Sequence, residues 1–153
     1  MWRVWCIVIA SMLSSTAQGE TQWLLHPSNV VSVYDGDTIY VNIPGLPPVF
    51  GEDLGIRLRG VDTPELRSRC NSADERERER TLGYLIRDLV NNRVMSGEEI
   101  LITDISRGSF FRVVATVIVD GVSINQWLLD NGYAYEVIDE KMRPGYWCDS
   151  SNF

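Results

Sequence analysis

Val33-Tyr34-Asp35-Gly36-Asp37-Thr38 and Arg57-Leu58-Arg59-Gly60-Val61-Asp62-Thr63-Pro64-Glu65 are the stretches on which the reading of this chain turns. Each is a short strand that ends in acidic residues. From Val30 to Ile43 apolar residues fall near every second position around an Asp-Gly turn signal, which predicts a β-hairpin. The second stretch predicts a strand over Ile56 to Val61, stopped at Asp62-Thr63-Pro64 because proline biases Thr63 away from helix. If the two strand ends meet, Asp37, Asp62 and Glu65 form a carboxylate cluster with Arg57 beside it. Carboxylates without histidine or thiolate partners suit a hard cation such as Ca²⁺ or Mg²⁺. An arginine next to such a cation is the pairing that grips and activates a phosphate ester.

Upstream of these stretches, Met1-Trp2-Arg3 is a short positive region, Val4 to Leu13 an apolar run, and Ser14 to Gly19 a stretch of mostly small residues. This predicts a secretory signal peptide over residues 1–19, cut after Ala17 or Gly19. The alternative is an N-terminal membrane anchor, but the apolar run is too short to span a bilayer. Residues 20–153 then make one domain's worth of chain, expected to be soluble, monomeric and secreted or periplasmic. Cys6 leaves with the signal, so Cys70 and Cys148 remain. Two cysteines in an exported domain most simply pair, the alternative being two free thiols. The loop would hold 148 − 70 = 78 residues, and chain entropy makes such a bridge worth up to roughly 4–5 kcal/mol.

The formal net charge is −7 with a pI near 4.7, and becomes −8 without Arg3. This departs from the basic balance of a nucleic-acid binder and argues against tight, salt-sensitive, non-specific DNA binding. Net charge governs long-range steering, not the site. All the basic residues except Lys141 are arginines, and a local arginine cluster can still hold a phosphate.

Along the chain, His26 stands beside Pro27 with no Ser/Cys/His constellation around it and reads as a surface histidine. Pro44-Gly45-Leu46-Pro47-Pro48 predicts a loop or an edge. Ser72 followed by Glu75 is a capping box that opens a helix. Leu82, Leu85, Ile86, Leu89 and Val90 then mark its core-facing stripe. The run Asp74 to Arg80 alternates in sign, with Glu75–Arg78 and Glu77–Arg80 as i,i+3 partners, and reads as a solvated first turn. Strands are expected over Glu99 to Ile105 and Phe110 to Val119. Arg112, on the latter, is either an outward surface residue or one aimed into a cleft. Asp120-Gly121 turns the chain into a second helix with Ile124, Trp127 and Leu128 toward the core, ended by Gly132. Five short strands with a helix between the third and fourth is an OB-fold pattern, a five-stranded barrel with two or three helices.

With Asp-Gly-Asp-Thr at 35–38, Arg-Leu-Arg-Gly-Val-Asp-Thr-Pro-Glu at 57–65, and the Phe111–Ala115 strand followed by the Asp120-Gly121 turn and helix, the chain resembles the staphylococcal nuclease family over roughly residues 29–137. The resemblance implies Ca²⁺ held by Asp37, Asp62 and Thr63, phosphate gripped by Arg57 and by Arg112 aimed into the cleft, and a water handled by Glu65. The residues permit the same chemistry: two carboxylates and a carbonyl leave calcium room for water and substrate, and bidentate arginines suit a phosphate. Asp35 is an outer-shell candidate, although its turn-forming role accounts for it better. A cysteine after Thr-Pro-Glu and another in a terminal Trp-Cys is a pattern of exported members.

The chain departs from the family where Gly108-Ser109-Phe110-Phe111-Arg112 lacks the usual lysine and tyrosine, Phe110 standing in the tyrosine's place. Ile138 and Glu140 stand where two tyrosines line the type member's base pocket; Tyr133 and Tyr135 are substitute stacking candidates. The expected activity is Ca²⁺-dependent hydrolysis of DNA and RNA phosphodiesters, single strands favoured. The alternatives are a non-catalytic OB-fold binding module and a small disulfide-bonded inhibitor or structural protein.

Overall fold

The structure, a computed structural model, describes residues 21–108, 111–138 and 146–152; the expected signal peptide, Phe110, Glu140 and Lys141 lie outside them. The strands are β1 (Trp23–Leu25), β2 (Val30–Asp35), β3 (Thr38–Val41), β4 (Leu54–Leu58), β5 (Val61–Asp62), β6 (Ile100–Arg107), β7 (Val113–Val119), β8 (Val122–Ser123) and β9 (Tyr135–Glu136). The helices are α1 (Pro48–Gly51), α2 (Ala73–Met95) and α3 (Ile124–Asp130).

The main sheet runs β1-β6-β7-β4-β3-β2, with β8 added to β7, while β5 and β9 pair separately. Its neighbours are antiparallel except β4 and β7, which lie parallel. The two edge strands, β1 and β2, are joined only through His26 and the 3₁₀ turn Pro27–Asn29. That link spans at most about 17 Å, whereas a flat six-stranded sheet would hold its edges about 24 Å apart. The sheet is therefore curled into a half-barrel, with α2 between the third and fourth principal strands, as the OB-fold pattern predicts. The short strands β1, β5, β8 and β9 and the one-turn helix α1 are additions to the five strands expected. Proline at the start of α1 is compatible with helix because a first-turn N–H has no intrahelical partner.

Strand alternation sorts the two faces. Ile39, Val41, Ile56, Leu58, Ala115 and Val117 are buried in the core. Strands β3, β4 and β7 turn Thr38, Tyr40, Gly55, Arg57 and Val114 the other way, the face on which the site is built. Helix α2 opens as predicted: Ser72 Oγ accepts from the Glu75 N–H at 3.1 Å and Glu75 Oε2 accepts from the Ser72 N–H at 3.0 Å. Its buried stripe is Glu79, Gly83, Ile86, Val90 and Val94. The apolar members each stabilise by about 1.5–3 kcal/mol through burial. Leu85 is 54 % exposed and Leu82 and Leu89 are only half-buried, because the contact centres on Gly83. A Cβ at Gly83 would lie 2.9 Å from the Pro64 carbonyl oxygen, so the helix rests directly on the backbone of the Thr63-Pro64-Glu65 loop. The run before it is not wholly solvated either, since Glu79 is buried. Glu77 pairs with Arg80, but Arg78 donates to the Cys148 carbonyl at 2.8 Å and forms no ion pair with Glu75 among the described residues.

Downstream, Asp120 and Gly121 both have positive φ (48° and 79°), the geometry of a tight hairpin turn. The Asp120 carboxylate also accepts from the Glu98 and Glu99 N–H groups, tying the end of α2 to this turn. Ser123 caps α3, Ile124 and Leu128 are buried, Trp127 is half-buried, and the helix stops before Gly132. Buried Asn125 accepts from the Val117 N–H and donates to the Arg59 carbonyl, locking α3 across the sheet. His26 is exposed and caps the Pro27–Asn29 turn. Among the described residues no helix is long and apolar enough to cross a membrane.

Candidate active site

Asp37 occupies the turn between β2 and β3, Arg57 lies near the end of β4, and Asp62 ends β5. The pairing of Thr38 with Arg57 brings the turn against β4, where the Leu58 N–H donates to the Asp37 carbonyl at 2.8 Å. Asp62 is fixed by pairing with Tyr135 on β9. The two strand ends do come together, through Arg57.

Arg57 bridges the carboxylates. One Nη donates to Asp37 Oδ1 and the other to Asp62 Oδ1 at 2.8 Å. Asp37 Oδ2 accepts from the Thr63 N–H at 2.9 Å and the Thr63 hydroxyl at 3.1 Å. The Asp37 N–H donates to Asp35 Oδ1 at 3.2 Å, so Asp35 supports the turn and sits behind Asp37. Asp35, Asp37, Asp62 and Thr63 are buried; Glu65 is half-buried.

Arg57 thus bridges two buried carboxyls, with Asp35 bound to the Asp37 N–H and Glu65 near enough to feel their charge. Burial, then the charge of Asp35, push the Asp37 carboxyl well above the usual carboxylate range, and Arg57 offsets this only in part. Burial likewise raises Asp35, and burial followed by the charges of Asp37 and Asp62 raises Glu65. For Arg57, burial works against the charge, but Asp37, Asp62 and Asp35 outweigh it and hold its pKa up. An all-oxygen donor set with more negative charge than its arginine neutralises fits a hard divalent cation. Arg57 already places a positive charge on both Asp37 and Asp62, so the expected affinity for the cation alone is weak. Cys70, Glu79 and Cys148 also lie close together. The two sulfurs are bonded to each other and leave no thiolate for a metal.

The raised carboxyls have a consequence for stability without metal. A carboxyl whose folded pKa exceeds its unfolded value favours folding at low pH, and that contribution is lost as pH rises through the folded pKa. Metal-free protein is therefore expected to lose thermal stability from about pH 4, the unfolded range of Asp and Glu, toward neutrality. Added Ca²⁺ is expected to reverse much of the loss. Thermal melts across pH with chelator or Ca²⁺ check both.

Arg112 is placed differently. Val114 pairs with Arg57 in the parallel β4–β7 register, so Arg112, two residues earlier, shares the face of Arg57. Gly55 makes room for it: a Cβ there would lie 3.2 Å from Arg112 Cγ. The strand predicted from Phe110 begins only at Val113, because Phe111 has a φ of +62° and breaks the extended run. Arg112 is half-buried, contacts none of the carboxylates, and has no side-chain hydrogen-bond or ion-pair partner among the described residues. It also rims a cavity of about 300 Å³ lined by Trp23, Leu46, Phe50, Leu54 and Phe111.

Two supporting residues escape a reading of the sequence. Buried Trp147 donates its indole N–H to Asp62 Oδ2 at 3.3 Å. Buried Glu79 accepts from the Glu65 N–H at 3.1 Å. The signal for Trp147 was its place beside Cys148, whose disulfide to Cys70 brings the C-terminal segment to the loop after Glu65. Tyr135 is not free to stack on a base, being buried with its ring 4.3 Å from Tyr146 and 5.8 Å from Trp147. Tyr133 packs edge-on against Trp127 at 5.4 Å.

A family model described as staphylococcal nuclease homologue matches residues 55–146, more than half of the chain, including Arg57, Asp62, Thr63, Glu65 and Arg112. Asp37 lies before the match and reaches the site through strand register. No curated protein matches the chain.

Proposed function

Because the chain belongs to the staphylococcal nuclease homologue family, we propose that it is a Ca²⁺-dependent nuclease that hydrolyses phosphodiester bonds of DNA and RNA. The observation that carries this reading is the bridging of buried Asp37 and Asp62 by Arg57, with Glu65 two residues past Thr63 and Arg112 unpaired among the described residues on the same face. A bound Ca²⁺, held by Asp37, Asp62 and the Thr63 main-chain carbonyl, would neutralise charge on the phosphate. Arg57 and Arg112 grip the non-bridging oxygens, and their planar donors favour the charge that develops in the transition state. Glu65, half-buried with its pKa raised, is suited to hold the attacking water and accept its proton. Residues 20–153 act as one exported, monomeric domain after removal of the signal at Ala17 or Gly19, secreted or periplasmic. The Cys70–Cys148 disulfide favours that compartment. Single strands are the preferred substrate.

The acidic balance of the chain favours a second reading, an OB-fold module that binds without cleaving. Glu65→Gln separates the two. For a nuclease, the variant is expected to cleave single-stranded DNA and RNA about 10²–10⁴-fold more slowly while binding them as the wild type does. Oligonucleotide binding with no cleavage by either folded protein under Ca²⁺ would establish the binding module instead.

A further inference from the structure

We propose that the disulfide-tethered turn Tyr146–Cys148 is a positioning element of the metal site, with Trp147 fixing the carboxylate of Asp62. The inference rests on the nuclease reading and extends it to residues outside the motifs.

The geometry is specific. Asp62 has one oxygen held by Arg57 and the other by the Trp147 indole N–H. Two donors on opposite oxygens fix the rotation of a carboxylate, and outer partners of this kind tune metal ligands. Trp147 is itself held on three sides. Tyr135, the strand partner of Asp62, packs against it, Tyr146 meets it edge-on at 5.1 Å, and Cys148 follows it in the chain. Arg78 of α2 binds the Cys148 carbonyl.

The other half of the disulfide reaches the same loop by a second route. Cys70 Sγ lies 3.2 Å from Glu79 Oε2, and Glu79 Oε1 accepts the Glu65 N–H. The disulfide sulfur has no proton to donate, so it packs beside Glu79 without holding it.

The test is Ca²⁺ affinity, measured by equilibrium dialysis of the metal alone on oxidised protein spanning residues 20–153. Trp147→Phe keeps an aromatic ring and removes the N–H. It is expected to weaken Ca²⁺ binding about 10-fold or more, with the circular-dichroism spectrum of the folded protein retained. Trp127→Phe, on α3, is expected to bind Ca²⁺ as the wild type does. A second measurement needs no change at Trp147. In ¹⁵N-resolved NMR of the wild type, the Trp147 indole N–H signal is expected to move on Ca²⁺ titration, while those of Trp23 and Trp127 stay. Wild-type Ca²⁺ affinity in folded Trp147→Phe, or an unmoved Trp147 signal at saturating Ca²⁺, overturns the positioning role and leaves the nuclease reading intact. A wild type that binds no Ca²⁺ overturns both.

Discussion

Arg57→Ala and Arg112→Ala are expected to cost similar factors in cleavage, about 10²–10³ each, because each removes one donor from the phosphate in the transition state. Their effects on stability should differ. Arg57 bridges buried Asp37 and Asp62 with its own side chain only 21 % exposed, so its removal strands two carboxylates. Breaking a buried pair from one side costs about 3–5 kcal/mol. The low end applies here, since the stranded carboxyls can take up protons. Arg112 has no such partner among the described residues, and its loss should change stability by no more than about 0.5 kcal/mol, the usual effect of a side chain away from buried networks. Single-turnover rates on a single-stranded oligonucleotide, with urea melts of each variant under chelator, give both numbers. A large stability loss in Arg112→Ala would mean that it holds the fold together and does not wait for substrate.

The second large effect concerns the disulfide. Cys70 and Cys148 are separated by 78 residues, and releasing a loop of that length is expected to destabilise the protein by roughly 4–5 kcal/mol. For a domain of this size that corresponds to a fall in melting temperature on the order of 10–20 °C. The double variant Cys70→Ser/Cys148→Ser, compared with oxidised wild type by calorimetry, checks this. A shift of only a degree or two would show that the helix contact through Arg78 already holds the C-terminal turn without the covalent bond.

What the sequence revealed and what it hid divide along the distance over which the deciding contacts act. The hairpin carrying Asp37, the helix start at Ser72, the Asp120-Gly121 turn and the helix end at Gly132 are written in neighbouring residues, since caps and turns are local physics. The meeting of Asp37 with Asp62 could be posed from the sequence but not decided, because alternation sets the face a side chain takes and not which strands pair, and Asp62 is placed by the separate β5–β9 pairing. Leu85 was misread because apolar spacing shows which face of α2 is greasy but not that Gly83 is where the loop docks. Phe111 broke its predicted strand through a backbone conformation that its residue type gives no hint of. Glu79 looked like one charge among seven in an alternating run, and only its approach to the Glu65 N–H marks it out. Trp147 lies 85 residues from Asp62. Its contact depends on a disulfide and a β5–β9 pairing that no short-range pattern encodes.

The most direct test of the central claim is cleavage of a single-stranded oligodeoxynucleotide by the oxidised protein spanning residues 20–153, with Ca²⁺ and then with excess chelator. The expected result is endonucleolytic product with Ca²⁺, none with chelator, and recovery when Ca²⁺ is restored. Folded protein that gives no product with any divalent cation, or equal product with chelator, would contradict a site built from Asp37, Asp62 and Glu65 around Arg57.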